Sequence, residues 1–158
     1  MNWVRTIDND IALLELSSPA KTRPVKILSN ARLATIPLGD PLTLVGRGKT
    51  SENAFAMSSQ WRQVEIPIIP RSDCLLFPFC QTVTTSQFCA GLPTGGKDAC
   101  VGDGGSPLYA ELGNTFYVAG LVSWGLGCGR PNSPTVYTRI ADYASWLALT
   151  TSSAVTVT

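Results

Sequence analysis

Histidine is absent from all 158 residues. That removes the commonest metal ligand and the side chain most often used as a general base near neutral pH. The cysteines do not fill the gap, because Cys74, Cys80, Cys89, Cys100 and Cys128 form no CxxC pair. A zinc site is therefore excluded, and neither a metal nor any other cofactor is expected. An excess of charge of one sign is also lacking: 12 basic residues stand against 11 acidic ones, with no Lys/Arg run. Nothing builds the field that nucleic acid or an anionic membrane surface responds to, so neither is an expected partner. No apolar run approaches the roughly 20 residues of a membrane-spanning helix. The opening "MNWVRTIDND" has no basic stretch followed by an apolar one, so a secretory signal, if the protein is exported, is expected outside these residues. No internal repeat is present.

What is there reads as a folded β chain. Apolar residues make up 44% and charged ones 15%, with 14 Gly and 11 Pro, which suits a loop-rich globular domain better than a disordered one. Strand-like segments recur between Gly, Pro and Asn punctuation: "DIALLEL" (10–16), "LTLVGR" (42–47), "WRQVEIPII" (61–69), "SPLYAEL" (106–112), "FYVAGLVSW" (116–124) and "TVYTRI" (135–140). Such spacing predicts an antiparallel all-β barrel or sandwich. The pair Gly113-Asn114 predicts a two-residue hairpin turn between the fourth and fifth of these. "RSDCLLF" (71–77) predicts a short helix with Ser72 as its N-cap. "IADYASWLAL" (140–149) predicts a second, carrying Ile140, Tyr143, Ala144, Trp146 and Leu147. The closing "TTSSAVTVT" (150–158) is low in complexity and is expected to be a disordered tail. Five cysteines without a metal pattern point to disulfides in an oxidising compartment, with one thiol left over or bonded to another chain.

The segments "NDIALLEL" (9–16), "FCAG" (88–91), "GGKDACVGDGGSPL" (95–108), "VSWGLGCG" (122–129) and "PTVYTRIADYASWL" (134–147) are in order and spacing similar to the trypsin/chymotrypsin-like serine proteases. The resemblance covers about residues 9–148. It implies an all-β fold, a trypsin-like antiparallel β-barrel corresponding to the second of the family's two barrels, closed by a C-terminal α-helix. Residues 1–24 then correspond to the last strand of the first barrel with the inter-barrel connection, 25–149 to the second barrel with its helix, and 150–158 to the tail. On the same resemblance Asp10 falls on the triad acid, Gly102 on an oxyanion-hole glycine, and Asp103 on the acid that pairs with the amino terminus released by zymogen cleavage. Asp98 falls at the base of the primary specificity pocket, where an acid implies Lys or Arg recognition. Ser123, Trp124 and Gly125 fall on the strand lining that pocket. The family pattern pairs Cys74 with Cys89 and Cys100 with Cys128. It would place a further bridge at Leu42 and Ala110, where both cysteines are missing, so Cys80 is the expected odd thiol.

Three departures decide what such a chain does. Gly104 occupies the position of the nucleophilic serine, and the nearest serine, Ser106, is two residues on. Two residues of extended chain span about 6 to 7 Å, whereas a nucleophile and its base must come within about 3 Å. Ser106 is therefore expected to be the residue that starts a strand before Pro107, and nothing more. No histidine is present to act as base. Without it, Asp10 is expected to be a solvated relic of the triad. Finally, Thr135 stands where trypsin-like enzymes have glycine, so its branched side chain should narrow the passage to Asp98, and long basic side chains should fit poorly. The expected function is that of a non-catalytic homologue that binds a protein or peptide, or serves as a decoy, outside the cell. The competing expectation is a fragment of an endopeptidase cutting after Lys or Arg, its histidine supplied by another segment. The partners expected are a peptide or protein, a separate front-half chain, or a second copy of this one.

Overall fold

The computed structural model describes residues 7–151 and 155–158. Seven strands are present among them: β1 (Lys26–Ile27), β2 (Pro41–Gly46), β3 (Arg62–Ile69), β4 (Gln87–Ala90), β5 (Pro107–Glu111), β6 (Phe116–Trp124) and β7 (Thr135–Arg139). Six of them run antiparallel in the order β6-β5-β2-β3-β4-β7, and pairing of β7 with β6 closes the ring. The trypsin-like all-β barrel is thus present. The alternation that marks a half-buried strand is clear in β2, which turns Leu42, Leu44 and Gly46 inward. β6 runs through nine residues and pairs with β1, β5 and β7, which makes it the spine of the barrel.

The hairpin between β5 and β6 turns where the sequence placed it. Gly113 and Asn114 both have positive φ, 55° and 61°, as a type I′ turn requires, and Leu112 and Thr115 exchange backbone hydrogen bonds across it. Leu42, Leu44, Ile66, Leu108 and Tyr137 fill the interior, each 2% exposed or less, and the rings of Phe88 and Tyr137 stack at 5.6 Å. Leu42 and Ala110 both belong to this core. The register of Thr43 with Tyr109 and Leu44 with Leu108 brings these two positions opposite each other, so a buried apolar contact stands where the family pattern would have a bridge.

Three helices accompany the barrel: α1 (Asn30–Leu33), α2 (Arg71–Cys74) and α3 (Ala144–Thr151). A single 3-10 turn, Ile140–Tyr143, leads into α3, which anchors on the barrel through buried Leu147. Both disulfides form in the expected pairs. Cys74 to Cys89 ties α2 to β4, and Cys100 to Cys128 ties the loops before β5 and after β6, with Cα separations of 6.1 and 5.0 Å.

Four expectations are corrected. Residues 10–16 form no strand, and Leu14 and Leu16 are 90% and 64% exposed. The apolar run that suggests a strand there has no partner strand among the described residues, so no ladder can form. Ser72 lies inside α2 with its hydroxyl on the Asp73 carboxylate, and Pro70 takes the N-cap position without a side-chain bond. Of the closing segment, residues 152–154 lie outside the described residues, and the rest is not a free tail, since Thr150 and Thr151 belong to α3. Residues 155–158 lie parallel to β1, with Ile27 donating to Thr156, Ser29 donating to Thr158 and Thr158 donating back to Ile27. Backbone groups near the edge strand that would otherwise face water are paired by this arrangement. Lastly, β4 was not foreseen as a strand.

One close approach inside the barrel yields a direct test. A Cβ at Gly46 would overlap the Asp103 carboxylate, which is 7% exposed. Gly46→Ala should therefore lower the unfolding free energy by about 1 to 3 kcal/mol, the usual range for overpacking, read as a fall in the urea midpoint. An unchanged midpoint would show that the carboxylate is free to move.

Candidate functional site

The loop from Gly95 to Ser106 is shaped from below by its own acid. Asp103 accepts a hydrogen bond from the Gly48 amide at 2.6 Å on one oxygen and from the Cys100 amide at 3.0 Å on the other. Its carboxylate thus sits in a backbone cradle that only glycines at 46 and 48 leave room for. A cavity of about 200 Å³ opens beside it, lined by Lys49, Arg62, Lys97 and Asp98. Gly102 has φ +95°, a conformation that glycine adopts without the penalty of a Cβ, and Met57 from the 48–60 loop packs against it.

On the outer side of this loop, Gly102 and Gly104 meet Ser123, Trp124, Gly125 and Thr135 around a cavity of about 270 Å³. Six expected site residues are thereby brought together from three places in the chain: the 97–104 loop, the end of β6 and the start of β7. Gly104 is exposed, and a Cβ built on it would meet nothing within 4 Å. Its hydrogen faces open space at the position of the expected nucleophile. Ser106 immediately precedes β5, and its amide is held by the Asp103 carbonyl at 2.8 Å.

Asp10 departs from its expectation. It is not simply solvated: Ser123 donates to its carboxylate at 2.6 Å, and Thr138 donates to its backbone carbonyl at 2.9 Å. The preceding residues are fastened in the same manner, Asp8 by Thr84 and Ser86, and Asn9 by Tyr143. Hydroxyl side chains of β6, β7, the loop before β4 and the turn before α3 hold this segment, while Leu14 and Leu16 beyond it stay in water.

Asp98 lies behind the cavity. One oxygen accepts from the Ala99 amide at 2.8 Å and from the Thr135 hydroxyl at 2.7 Å, and the other accepts from the Gly129 amide at 2.9 Å. Burial pushes its carboxyl above the ordinary carboxylate value, against the opposing pull of these three donors. The same two acids, Asp98 and Asp103, add to burial in raising Tyr137 well above its usual value. The Tyr137 hydroxyl is buried and has no hydrogen-bond partner among the described residues.

The odd thiol is Cys80, fully buried. The sulfurs of Cys74, Cys80 and Cys89 all lie within 4.8 Å of one another. Two of the three are spent in the disulfide, and burial pushes the Cys80 thiol up to about 11, far from the thiolate a ligand or nucleophile needs.

Sequence reasoning missed one support of the site. Glu52 accepts from the Arg130 guanidinium and from the Cys128 amide at 3.3 Å, joining the 48–60 loop to the wall that carries the second disulfide. The two positions are 76 and 78 residues apart, and nothing in either local segment signals the pairing.

Residues 1–147 match the Trypsin family model. The chain is 39% identical over 145 residues to "Trypsin eta" of Drosophila melanogaster, covering 90% of this chain and 53% of that protein. It is 35% identical to "Trypsin-1" of Astacus astacus, covering 89% and 59%. It is also 37% identical to the "Inactive CLIP domain-containing serine protease A3" of Aedes aegypti, covering 94% and 33%. The chain thus spans between a third and three fifths of the length of these relatives.

Proposed function

Because the chain belongs to the trypsin family of serine proteases, we propose that it is a non-catalytic member that binds a polypeptide in the cleft beside Gly102 and Gly104. The observation that carries this reading is Gly104: the position that must supply a hydroxyl supplies a hydrogen. A triad works as a unit, so losing one reagent costs nearly as much as losing all of them. Here the base is missing as well, since no imidazole exists in these residues. The scaffold around the loss supports binding. Asp10 holds Ser123, Asp103 holds the loop, and the cavity between them stays open.

Occupying a protease inhibitor as a decoy is the same physical act, carried out through the same cleft. Two disulfides suit an oxidising compartment, and extracellular action is part of the proposal. A relative described as inactive supports the idea that this scaffold is used without chemistry. The exposed leucines at 14 and 16 favour association with a further segment or chain, whether a front-half chain or a second copy.

Fluorogenic Arg and Lys peptides, assayed with and without a front-half chain that carries a histidine, test the proposal against its competitor, a fragment that cleaves after basic residues once that histidine is supplied. No hydrolysis above buffer is expected from this chain. Turnover that disappears in Ser106→Ala would overturn the proposal and make Ser106 the nucleophile.

A further inference from the structure

A further cavity, of about 220 Å³, opens between α1, β3, α2 and β4, and it shares no residue with the cleft or with the cavity beside Asp103. Its apolar wall comes from Leu33, Ile36, Leu38, Ile68, Val83 and Phe88. Two cations, Arg71 and Arg139, share the lining, and no acid does. Leu33, Val83 and Phe88 are buried, whereas Arg71 is exposed and Arg139 half-buried, so the charge stands nearer to water than the apolar floor.

Both guanidinium groups are clipped to one short stretch of chain. Arg71 donates to the Thr84 carbonyl at 2.6 Å and to the Val83 carbonyl at 2.7 Å, while Arg139 donates to the Gln87 carbonyl at 3.3 Å. A guanidinium carries five N–H donors, so most donors on each group are left over. The Arg139 Nε is buried and has no hydrogen-bond partner among the described residues, so water does not solvate that edge of the charge. Acids of the adjoining segments do not compensate. Asp8, Asp73 and Asp142 accept from hydroxyl or amide groups, and the ion pair found among the described residues joins Arg130 to Glu52.

Two like charges drawn together without a counter-charge, one of them partly desolvated, favour an anion. The planar fork of a guanidinium matches a carboxylate best. The apolar floor asks for more than a bare ion. An apolar cavity of about 150 Å³ accepts benzene, so about 220 Å³ admits one ring or a short acyl chain. The parts are also fixed in advance. The Cys74 to Cys89 bridge lines the cavity and ties α2, which carries Arg71, to β4, and Gln87 of β4 pairs with Thr138, the neighbour of Arg139. Little ordering is left for a ligand to impose.

We propose that this cavity binds a small organic carboxylate, its ring or acyl chain among Leu33, Ile36 and Ile68 and its charged end toward Arg71 and Arg139. The site is separate from the cleft, and its failure would leave the reading of the cleft untouched.

Phenylacetate and phenylacetamide share ring and size and differ in charge, hexanoate replaces the ring by a chain, and acetate keeps the charge without a body. Each is titrated into the whole chain, with the amide resonances of Leu33 and Phe88 followed by NMR and those of Gly102 and Gly125 as the reference for the cleft. Phenylacetate and hexanoate are expected to bind at least tenfold more tightly than phenylacetamide or acetate, and to move the first pair of resonances alone. The tighter of the two identifies the body as ring or chain, and either order supports the proposal. Arg139→Gln should weaken phenylacetate at least tenfold and leave phenylacetamide unchanged. Ile36→Trp fills the apolar part while keeping both cations, and it should weaken phenylacetate and hexanoate even if the arginine variant folds poorly. Phenylacetamide binding as tightly as phenylacetate would overturn the role of the charge, and acetate binding as tightly would overturn that of the floor; either result sinks the proposal. Shifts confined to Gly102 and Gly125, or affinities unchanged in both variants, would do the same.

Discussion

Gly104→Ser is expected to fold normally and still hydrolyse nothing. Residue 104 has room for a side chain, since a Cβ there meets nothing within 4 Å, and its φ is outside the positive range that would penalise one. The serine would enter beside Gly102 with a hydroxyl in the expected place, and the urea midpoint should stay within error. Chemistry should not follow. A hydroxyl at its ordinary pKa needs a base at hydrogen-bond distance, and the nearby Asp10 carboxylate is engaged by Ser123 at 2.6 Å. Loss of the base alone costs about a million-fold in kcat in enzymes of this type. From a typical kcat near 10 per second, that leaves about one turnover per day. The measurement is single-turnover release from an activated ester together with a fluorogenic amide, and a burst of one equivalent within minutes would contradict the expectation. A burst present in Gly104→Ser and absent in the unchanged chain would mean that another group in this chain acts as base.

The second large effect belongs to the bridge between Cys100 and Cys128. Replacing both by serine should lower the unfolding free energy by roughly 3 to 4 kcal/mol on the chain-entropy estimate. With a urea slope of about 1 to 3 kcal/mol/M, the midpoint should fall by about 1 to 4 M. The bridge closes a separation of 28 residues, and it is not the only tie at this place. Gly96 donates to the Gly129 carbonyl at 2.8 Å, Gly129 donates to Asp98, and Glu52 holds the Cys128 amide. These bonds depend on the two loops staying together, so their loss is cooperative with the bridge. Peptide binding in the cleft should therefore weaken in the double variant even at urea concentrations where the chain stays folded. A midpoint that moves by less than about 0.3 M would show that the polar ties hold the loops unaided.

Much of the barrel was legible in the sequence. The stretches read at 116–124 and 135–140 appear as β6 and β7 to within a residue, because bulky β-formers there are bounded by Gly, Asn and Pro. The hairpin was equally plain, since Gly113-Asn114 can satisfy a turn that few other pairs can. β4 was missed for a physical reason: all four of its residues are buried, so no alternation marks it as a strand. The 10–16 stretch was misread because an apolar run records what a segment is able to pair with, and among the described residues no strand pairs with it.

The site divided in the same way. The identity of Gly104 could be read from its flanking residues. The contacts around it could not: Thr135 reaches Asp98 across 37 residues and Ser123 reaches Asp10 across 113. Thr135 was read from sequence as an obstruction. Its hydroxyl also occupies the acid it obstructs, and bulk alone gave no hint of that.

β6 and β7 are neighbours in a closed ring, and the ring has a bearing on recognition beyond architecture. Thr135 opens β7, while Ser123 and Trp124 end β6, and Trp124 pairs directly with Val136. Each strand of the ring is held on both sides along its middle, but the residues that face the cleft stand at strand ends. Ser123 lies in the register shift between Val122 and Trp124, Trp124 pairs only with Val136, and Thr135 pairs only with Ala90. One ladder holds each wall of the cleft, so its rim can adjust to a ligand without opening the barrel.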